Sequence, residues 1–290
     1  MSASPHSLEQ TPVESKPPRP RMSTRNRILF LVTGWLIVLM PFLFWWNTWF
    51  GRQLSDKEIA QYLKDDQHPR HIQHALVQMG ERMSRSDRSV AQWYPEAVRL
   101  ANSPVEEVRN TDAWVMGQDT SGAGFHDALL KMLADTSLTV RGNAALSLVR
   151  FGDATGRPQI VELLKPAAIT APAAGTVSDT GALGATVRGG GLVAKIARGD
   201  RATEEVRSPI TGRIRSIFAD KGSQVSSGQQ LAVVTPDSQQ VWEALRALYL
   251  VGQPEDIPVV QTYERELPDI PDHVRKQALE TEASIRQREK

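Results

Sequence analysis

Residues 171–234 contain one pattern of proline, glycine and branched aliphatic residues twice, and this duplication restricts the fold more than any other feature. Pro172 and Gly175 recur 37 positions later as Pro209 and Gly212. The positions that recur after 38 residues are Gly184, Val187 and Gly190, which match Gly222, Val225 and Gly228. Glycine permits tight turns, and branched residues favour strands. Residues 166–237 are therefore predicted to form an all-β domain of two similar halves.

The second half, above all the stretch 220–231, resembles the biotinyl/lipoyl carrier domain. The resemblance covers about a quarter of the chain and implies a small barrel-sandwich hybrid. In that family a lysine at a hairpin tip, eight positions before the second-half proline, carries the cofactor. Arg201 occupies this position. A guanidinium stays protonated at cellular pH and cannot form the amide. Lys195 and Lys221 fall elsewhere in the pattern, so we expect an unmodified barrel with no cofactor.

Membrane-fusion (periplasmic adaptor) proteins of efflux pumps are similar in part, because they combine an N-terminal anchor with two lipoyl-like half-motifs. In those proteins a long helical hairpin usually separates the halves. Here residues 197–207 separate them, which is too short for a coiled-coil hairpin. The further β-barrel of that family is replaced by helical repeats. The resemblance therefore covers the lipoyl-like domain and does not extend to the helical hairpin that reaches an outer-membrane channel in that family.

Residues 51–165 and 238–290 are predicted to form helical repeats on either side of the β domain. Val108-Arg109 and Val140-Arg141 lie 32 residues apart, and each pair opens an apolar helix closed by glycine, at Gly117 and Gly152. A two-helix unit of this length is typical of an α-solenoid. The stretches 102–109 and 134–141 resemble the start of a PBS-lyase-type HEAT repeat. The predicted fold class is therefore mainly α, a HEAT-like solenoid with an inserted lipoyl-like barrel.

Helical spacing after the β domain places Val241, Leu245, Leu248 and Tyr249 on one predicted face. Trp93, Trp114 and Trp242 are expected to pack between solenoid helices, with exposure at a partner surface as the alternative. These residues extend the predicted core on both sides of the insert.

The run 28–50 contains no charged residue and is long enough, as a helix, to cross a bilayer. Three tryptophans, Trp45, Trp46 and Trp49, end it as an interfacial belt would. A cleavable signal peptide would be shorter and end in small residues. Five basic residues precede the run, which favours a cytoplasmic N-terminus. Residues 1–27 are then a disordered cytoplasmic tail, and the later domains lie outside the inner membrane, in the periplasm of a diderm bacterium.

The composition excludes several function classes. The formal net charge is +1, which gives no electrostatic basis for nucleic-acid binding. The sequence contains no cysteine, so disulfides, thiolate metal sites and a cysteine nucleophile are excluded. No nucleophile elbow or phosphate-binding motif is present, and the glycine run 189–191 indicates a β-turn.

Three histidines, His68, His71 and His74, are spaced by three residues. Imidazoles at such spacing bind zinc in some proteins. No His-Glu-x-x-His motif accompanies them, and Pro69 makes His68 a helix-start residue. A polar helix surface is therefore the preferred interpretation, with a metal site as the alternative.

Together these features predict a single-pass, non-enzymatic scaffold or adaptor that binds proteins, with an inner-membrane transporter as one candidate partner. Two other hypotheses stay open: a biotin or lipoate carrier subunit of an enzyme complex, and a HEAT-like lyase. We expect no catalytic residue, no metal and no cofactor.

Overall fold

The computed structural model describes residues 23–45, 52–199, 201–266 and 270–289. Helix α1 (Thr24–Trp45) belongs to a unit separate from the part that begins at Leu54. Its stretch Thr24–Phe42 is long and apolar enough to cross a membrane. The helix begins four residues before the predicted run and continues past Pro41. Trp46 and Trp49 lie outside the described residues.

The second unit is largely helical, with an all-β segment near its middle. The helices before the β segment are α2 (Asp56–Tyr62), α3 (Pro69–Ser84), α4 (Tyr94–Leu100), α5 (Glu106–Met116), α6 (Phe125–Met132), α7 (Leu138–Arg150) and α8 (Arg157–Leu163). Those after it are α9 (Ser238–Val251), α10 (Ile257–Val260) and α11 (Asp272–Arg288). Local sequence sets many of the ends. Ser55 and Glu58 form a capping box at α2, and proline lies in the first turn of α3 and α8.

Helices α3, α5, α7, α9 and α11 pack successively side by side, and matching hydrogen bonds join two of these neighbouring pairs. Ser147 on α7 donates to the carbonyl of Ala113 on α5 (2.8 Å), and Thr281 on α11 donates to Leu245 on α9 (2.9 Å). Both hydroxyls belong to buried residues. Arg150 and Arg288 donate to the carbonyls of Gly117 and Gly252, the glycines that end the preceding helices. The same pattern of hydrogen bonds therefore joins α5 to α7 before the β segment and α9 to α11 after it.

The Val-Arg pairs have a defined structural role in the repeats. Arg109 donates to the carbonyl of Ser103, and Arg141 donates to that of Asp135, six residues before it in each case. The equivalent residues lie 32 positions apart. Arg109 also reaches forward to the Asp135 carboxylate with two hydrogen bonds of 2.6 and 3.0 Å. One arginine thus closes its own repeat and joins it to the next.

The β segment contains eight strands in two four-stranded antiparallel sheets. They are β1 (Ala167–Thr170), β2 (Gly175–Thr180), β3 (Thr186–Val187), β4 (Leu192–Arg198), β5 (Arg201–Arg207), β6 (Gly212–Ile217), β7 (Gln224–Val225) and β8 (Gln230–Pro236). One sheet has the order β1-β8-β6-β3 and the other β5-β4-β2-β7. Strands that lie four places apart in the chain are equivalent: β1 with β5, β2 with β6, β3 with β7 and β4 with β8. Exchanging the members of each pair converts the first order into the second. The sequence duplication is therefore a duplication of topology.

The registers of the two halves are equivalent as well. The matching pairs are Gly175 with Val225, Gly212 with Val187, Val177 with Ile196, and Ile214 with Val234. Gly175 and Gly212 have no space for a side chain, because an added Cβ would lie 2.5 Å from the carbonyl oxygen of Ala197 and 1.9 Å from that of Thr235. These glycines allow strands to approach closely. Gly184 and Gly222 instead serve turns, with φ of +78° and +93°.

The helical packing continues across the insert. Helix α9 packs on α7 and α8, and residues from all three share one buried cluster. Gln240 on α9 donates to the carbonyl of Leu163, and Tyr263 donates to that of Leu164 (2.5 Å). Leu138, which begins α7, packs against both the β core and this helical cluster. The β segment therefore packs, through Leu138, against the helices between which it is inserted.

Tyr249 does not belong to the buried face predicted for α9. Its side chain is exposed, whereas Val241, Leu245 and Leu248 are buried. Trp114 is also exposed, although its ring edge covers Gly80, where an added Cβ would lie 2.8 Å from the ring. Both aromatic residues therefore contribute surface as well as packing.

Candidate functional site

The β4–β5 hairpin is the place where the carrier resemblance puts a modified lysine. Arg198 pairs with Arg201 across the turn, and Gly199 adopts a φ of +58°. Arg201 is the first residue of β5 and directly follows the turn. Asp200 and the side chain of Arg201 lie outside the described part of the chain. The described backbone therefore places an arginine on each side of this two-residue turn.

The two lysines of the β segment lie away from that turn. Lys195 is an inner residue of β4, and its Nζ is 3.8 Å from Glu205 Oε1 on β5. Lys221 is exposed in the connection between β6 and β7. Neither lysine is at the hairpin turn.

A large cleft of about 1240 Å³ lies on the helical repeats. Its walls come from the 3₁₀ turn 88–93, the start of α4 and the connection 117–124. At its base Tyr94 donates a hydrogen bond to Asp119, which also accepts from the backbone and hydroxyl of Ser121 (2.8 and 2.6 Å). Burial and the Asp119 contact raise the pKa of Tyr94. Burial opposes ionisation of Asp119, but hydrogen bonds from Ser121 and Tyr94 lower its pKa. The lining of the cleft therefore includes an anionic group held by hydrogen bonds from Tyr94 and Ser121.

A second cleft of about 490 Å³ adjoins the first. Val98 and Gly124 line both clefts and separate them, and an added Cβ at Gly124 would lie 3.3 Å from the Val98 side chain. The second cleft extends to Arg109 and Asp135, the pair that joins two repeats. The two clefts together form a groove along α4 and α6, and we call it the repeat groove.

Asp112 on α5 is fully buried, and neither of its carboxyl oxygens has a hydrogen-bond partner among the described residues. Burial raises its pKa well above the ordinary value, and Arg99 opposes this only in part. Asp112 does not line either cleft of the repeat groove. Its carboxyl group is therefore enclosed by packing and is not presented to a ligand.

The structure regroups the three histidines named from the sequence. His68 and His71 both direct Nδ1 at the carboxylate of Asp65, whereas His74 Nε2 accepts a hydrogen bond from the amide of Gln78 (2.8 Å). Among the described residues, Asp65, His68 and His71 form the group whose ligand atoms lie within 4.8 Å of one another, and His74 is not part of it. Asp65 takes that place, three residues before His68, and the spacing of three carried this signal in the sequence.

No family model matches the sequence, and the comparison with curated proteins found no match. Among solved structures, the chain is similar to a designed armadillo repeat protein at 14% identity, covering 78% of this chain and 80% of that one, with a TM-score of 0.39. It is also similar to the structure of a single-chain, multi-domain long-chain acyl-CoA carboxylase at 19% identity, with a TM-score of 0.24. That match covers 33% of this chain and spans only 10% of the carboxylase chain.

Proposed function

We propose that this protein is a membrane-anchored, non-enzymatic scaffold of a transport or envelope complex. Helix α1 supplies the anchor, and the HEAT-like helices and lipoyl-like barrel supply two binding surfaces for partner proteins. Joining two weak sites on one anchored chain raises the effective concentration of the second site once the first is occupied. An inner-membrane transporter is the partner that this arrangement would suit, with the barrel outside the membrane and the N-terminus in the cytoplasm.

The observation that carries this proposal is the contrast between the barrel's frame and its hairpin turn. Both halves retain matching strand orders and registers. The turn itself has Arg198 and Arg201 on its two sides, and no lysine amine is placed there. A barrel with this frame and without the attachment amine is suited to contact with other proteins.

The repeat groove supports a binding role for the helical part. Solenoid repeats commonly hold extended protein segments along such surfaces. The groove combines apolar walls from Val98 and Ala123 with hydrogen-bonding groups at Asp119 and Gln118. Arg150 is exposed at its margin and is held by Gly117 and Gln118. This mixture fits an extended peptide better than a small apolar ligand.

Site-specific photocrosslinking in native membranes tests the scaffold proposal. A photoreactive residue is introduced at Ala123 in the groove, at Phe218 on the barrel, or at Ala283 on α11 as an exposed control. We expect the first two to yield discrete, reproducible adducts with membrane-complex proteins and the control to yield none. Adducts absent from both binding surfaces, or equal at all three positions, would contradict the proposal.

A substitution in the groove tests whether the adducts depend on the groove surface. Thr120→Arg places a long charged side chain in the groove while the photoreactive residue stays at position 123, and Ala283→Arg is the exposed control. The groove variant should abolish the adducts formed from the groove and leave those formed from Phe218.

Reporter fusions at the C-terminus test orientation, since cytoplasmic reporter activity would contradict the extracytoplasmic placement.

A further inference from the structure

The segment between α2 and α3 places three potential metal ligands on one side of the backbone. The amide of Asp65 donates to the carbonyl of Tyr62, that of His68 to Asp65, and that of His71 to His68. Each bond spans three residues, so the chain turns successively between Tyr62 and His71. These turns bring the His68 and His71 side chains to the carboxylate of Asp65.

The donor atoms of these side chains converge. His68 Nδ1 lies 2.9 and 3.0 Å from the two oxygens of Asp65, and His71 Nδ1 lies 2.7 Å from one of them. One ligand atom from each residue lies within 4.8 Å of the others. Zinc bonds of about 2.0–2.1 Å in tetrahedral geometry place donors roughly 3.3 Å apart. Small side-chain rotations would therefore bring all three donors onto one ion.

Neighbouring contacts hold the rings and keep the carboxylate ionised. The His71 ring stacks on Tyr62, with centroids 4.4 Å apart and an angle of 11° between planes. Hydrogen bonds from His68 and His71 lower the pKa of Asp65. The His68 and His71 side chains are 64% and 43% exposed, so an ion from solvent can reach them.

We propose that Asp65, His68 and His71 form a binding site for a divalent transition-metal ion, with Zn²⁺ as the best match. Two imidazoles and one carboxylate suit zinc and its neighbours, whereas Mg²⁺ and Ca²⁺ prefer sites built from oxygen ligands. Three protein ligands leave a fourth tetrahedral position for water or for a side chain of a partner protein. The ion ties the connection after α2 to the first turn of α3. This site is independent of the scaffold proposal.

Zn²⁺ titration of the full-length, untagged, metal-free protein in detergent tests the site, with binding measured by calorimetry and by the visible spectrum of the Co²⁺ form. We expect one ion per chain. His68→Ala and His71→Ala should each weaken binding by about tenfold or more, since even supporting residues contribute that much at known sites. His74→Ala, three residues further along α3, and His126→Ala, a surface histidine paired with Asp153, should bind like the parent.

Circular dichroism of each variant checks that the helices are retained. Asp65→Asn should also weaken binding, because it removes the anionic ligand while keeping the side-chain shape. Failure of the parent to bind Zn²⁺ saturably, binding that survives both His68→Ala and His71→Ala, or an equal loss in His74→Ala would each overturn the proposal.

Discussion

Replacing Asp112 with alanine should stabilise the fold at neutral and basic pH. The carboxyl group is buried and unpaired among the described residues, and a polar group in that state costs about 1–3 kcal/mol, or more if it is charged. The equivalent position in the next repeat, 32 residues later, is Ala144, which is fully buried. Truncation leaves a small void worth roughly 1 kcal/mol. The net gain in the free energy of unfolding is therefore up to about 2 kcal/mol.

The pH dependence separates this mechanism from simple repacking. Since burial raises the pKa of Asp112, the folded chain holds a proton that the unfolded chain releases. Stability is then greatest in acid and falls as pH rises above the unfolded pKa, by up to about 1.4 kcal/mol per pH unit. Asp112→Asn keeps the side-chain shape without the titration, so this part of the pH dependence should disappear.

Thermal unfolding of the full-length protein in detergent, followed by helical circular dichroism from about pH 5 to 9, measures both effects. A gain of about 2 kcal/mol, the upper limit, corresponds to a rise in Tm of roughly 4–8 °C for a unit of this size. Asp127→Ala, at a solvent-exposed carboxylate on α6, is the control and should change little. If Asp112→Ala lowers stability at basic pH, or Asp112→Asn keeps the parent's pH dependence, the carboxyl group has a stabilising partner, contrary to this prediction.

Three further predictions concern other parts of the fold. Burial and the neighbouring Glu282 raise the pKa of Glu264 to about 7, so stability should fall as pH rises from about 5 to 7, and Glu264→Gln should flatten this trend in denaturant titrations. Arg109→Ala removes the forward ion pair between repeats and should lower the free energy of unfolding by about 2 kcal/mol in urea, whereas an unchanged midpoint would show that the pair is dispensable. Gly222→Ala forces alanine into positive φ and should cost about 1–2 kcal/mol by the same assay, and a neutral result would contradict the turn's role.

The duplicated pattern predicted the β segment well because its spacing reflects strand and turn lengths directly. Glycine and proline recur at intervals of 37 and 38, and three of the four strand pairs recur at the same intervals: β2 and β6 at 37, and β3 and β7 as well as β4 and β8 at 38. The sequence could not distinguish the two uses of glycine. Gly184 adopts positive φ, as expected for a turn, but Gly175 is required by a close approach of Ala197. That requirement depends on a strand 22 residues away.

Local periodicity also predicted helices better than their exposed faces. Gly117 and Gly252 end helices as ordinary stop signals do. Tyr249 follows the apolar spacing, but its side chain is exposed, and it is its backbone carbonyl that accepts hydrogen bonds from Ser284 and Arg288 of α11. The hydroxyl of Thr281 and the carboxyl of Asp112 are buried in the helical core, and nothing local in the sequence marks either. Their environments are set by neighbouring helices.

The candidate sites also differ in how far the sequence could predict them. Arg201 could be singled out from spacing alone, since its significance depends on residue type and position in the half-repeat. The repeat groove had no sequence signal, because its walls come from separate connections brought together by helix packing. The histidine spacing was visible, but the choice of Asp65 over His74 depends on how the chain turns before α3.

Intact mass spectrometry of the full chain purified from its native membranes, followed by peptide mapping, tests the central claim most directly, namely that the barrel acts through contact and without a prosthetic group. We expect no biotinyl or lipoyl mass on peptides spanning residues 166–237. A stoichiometric biotinyl or lipoyl adduct on Lys195 or Lys221 would contradict it.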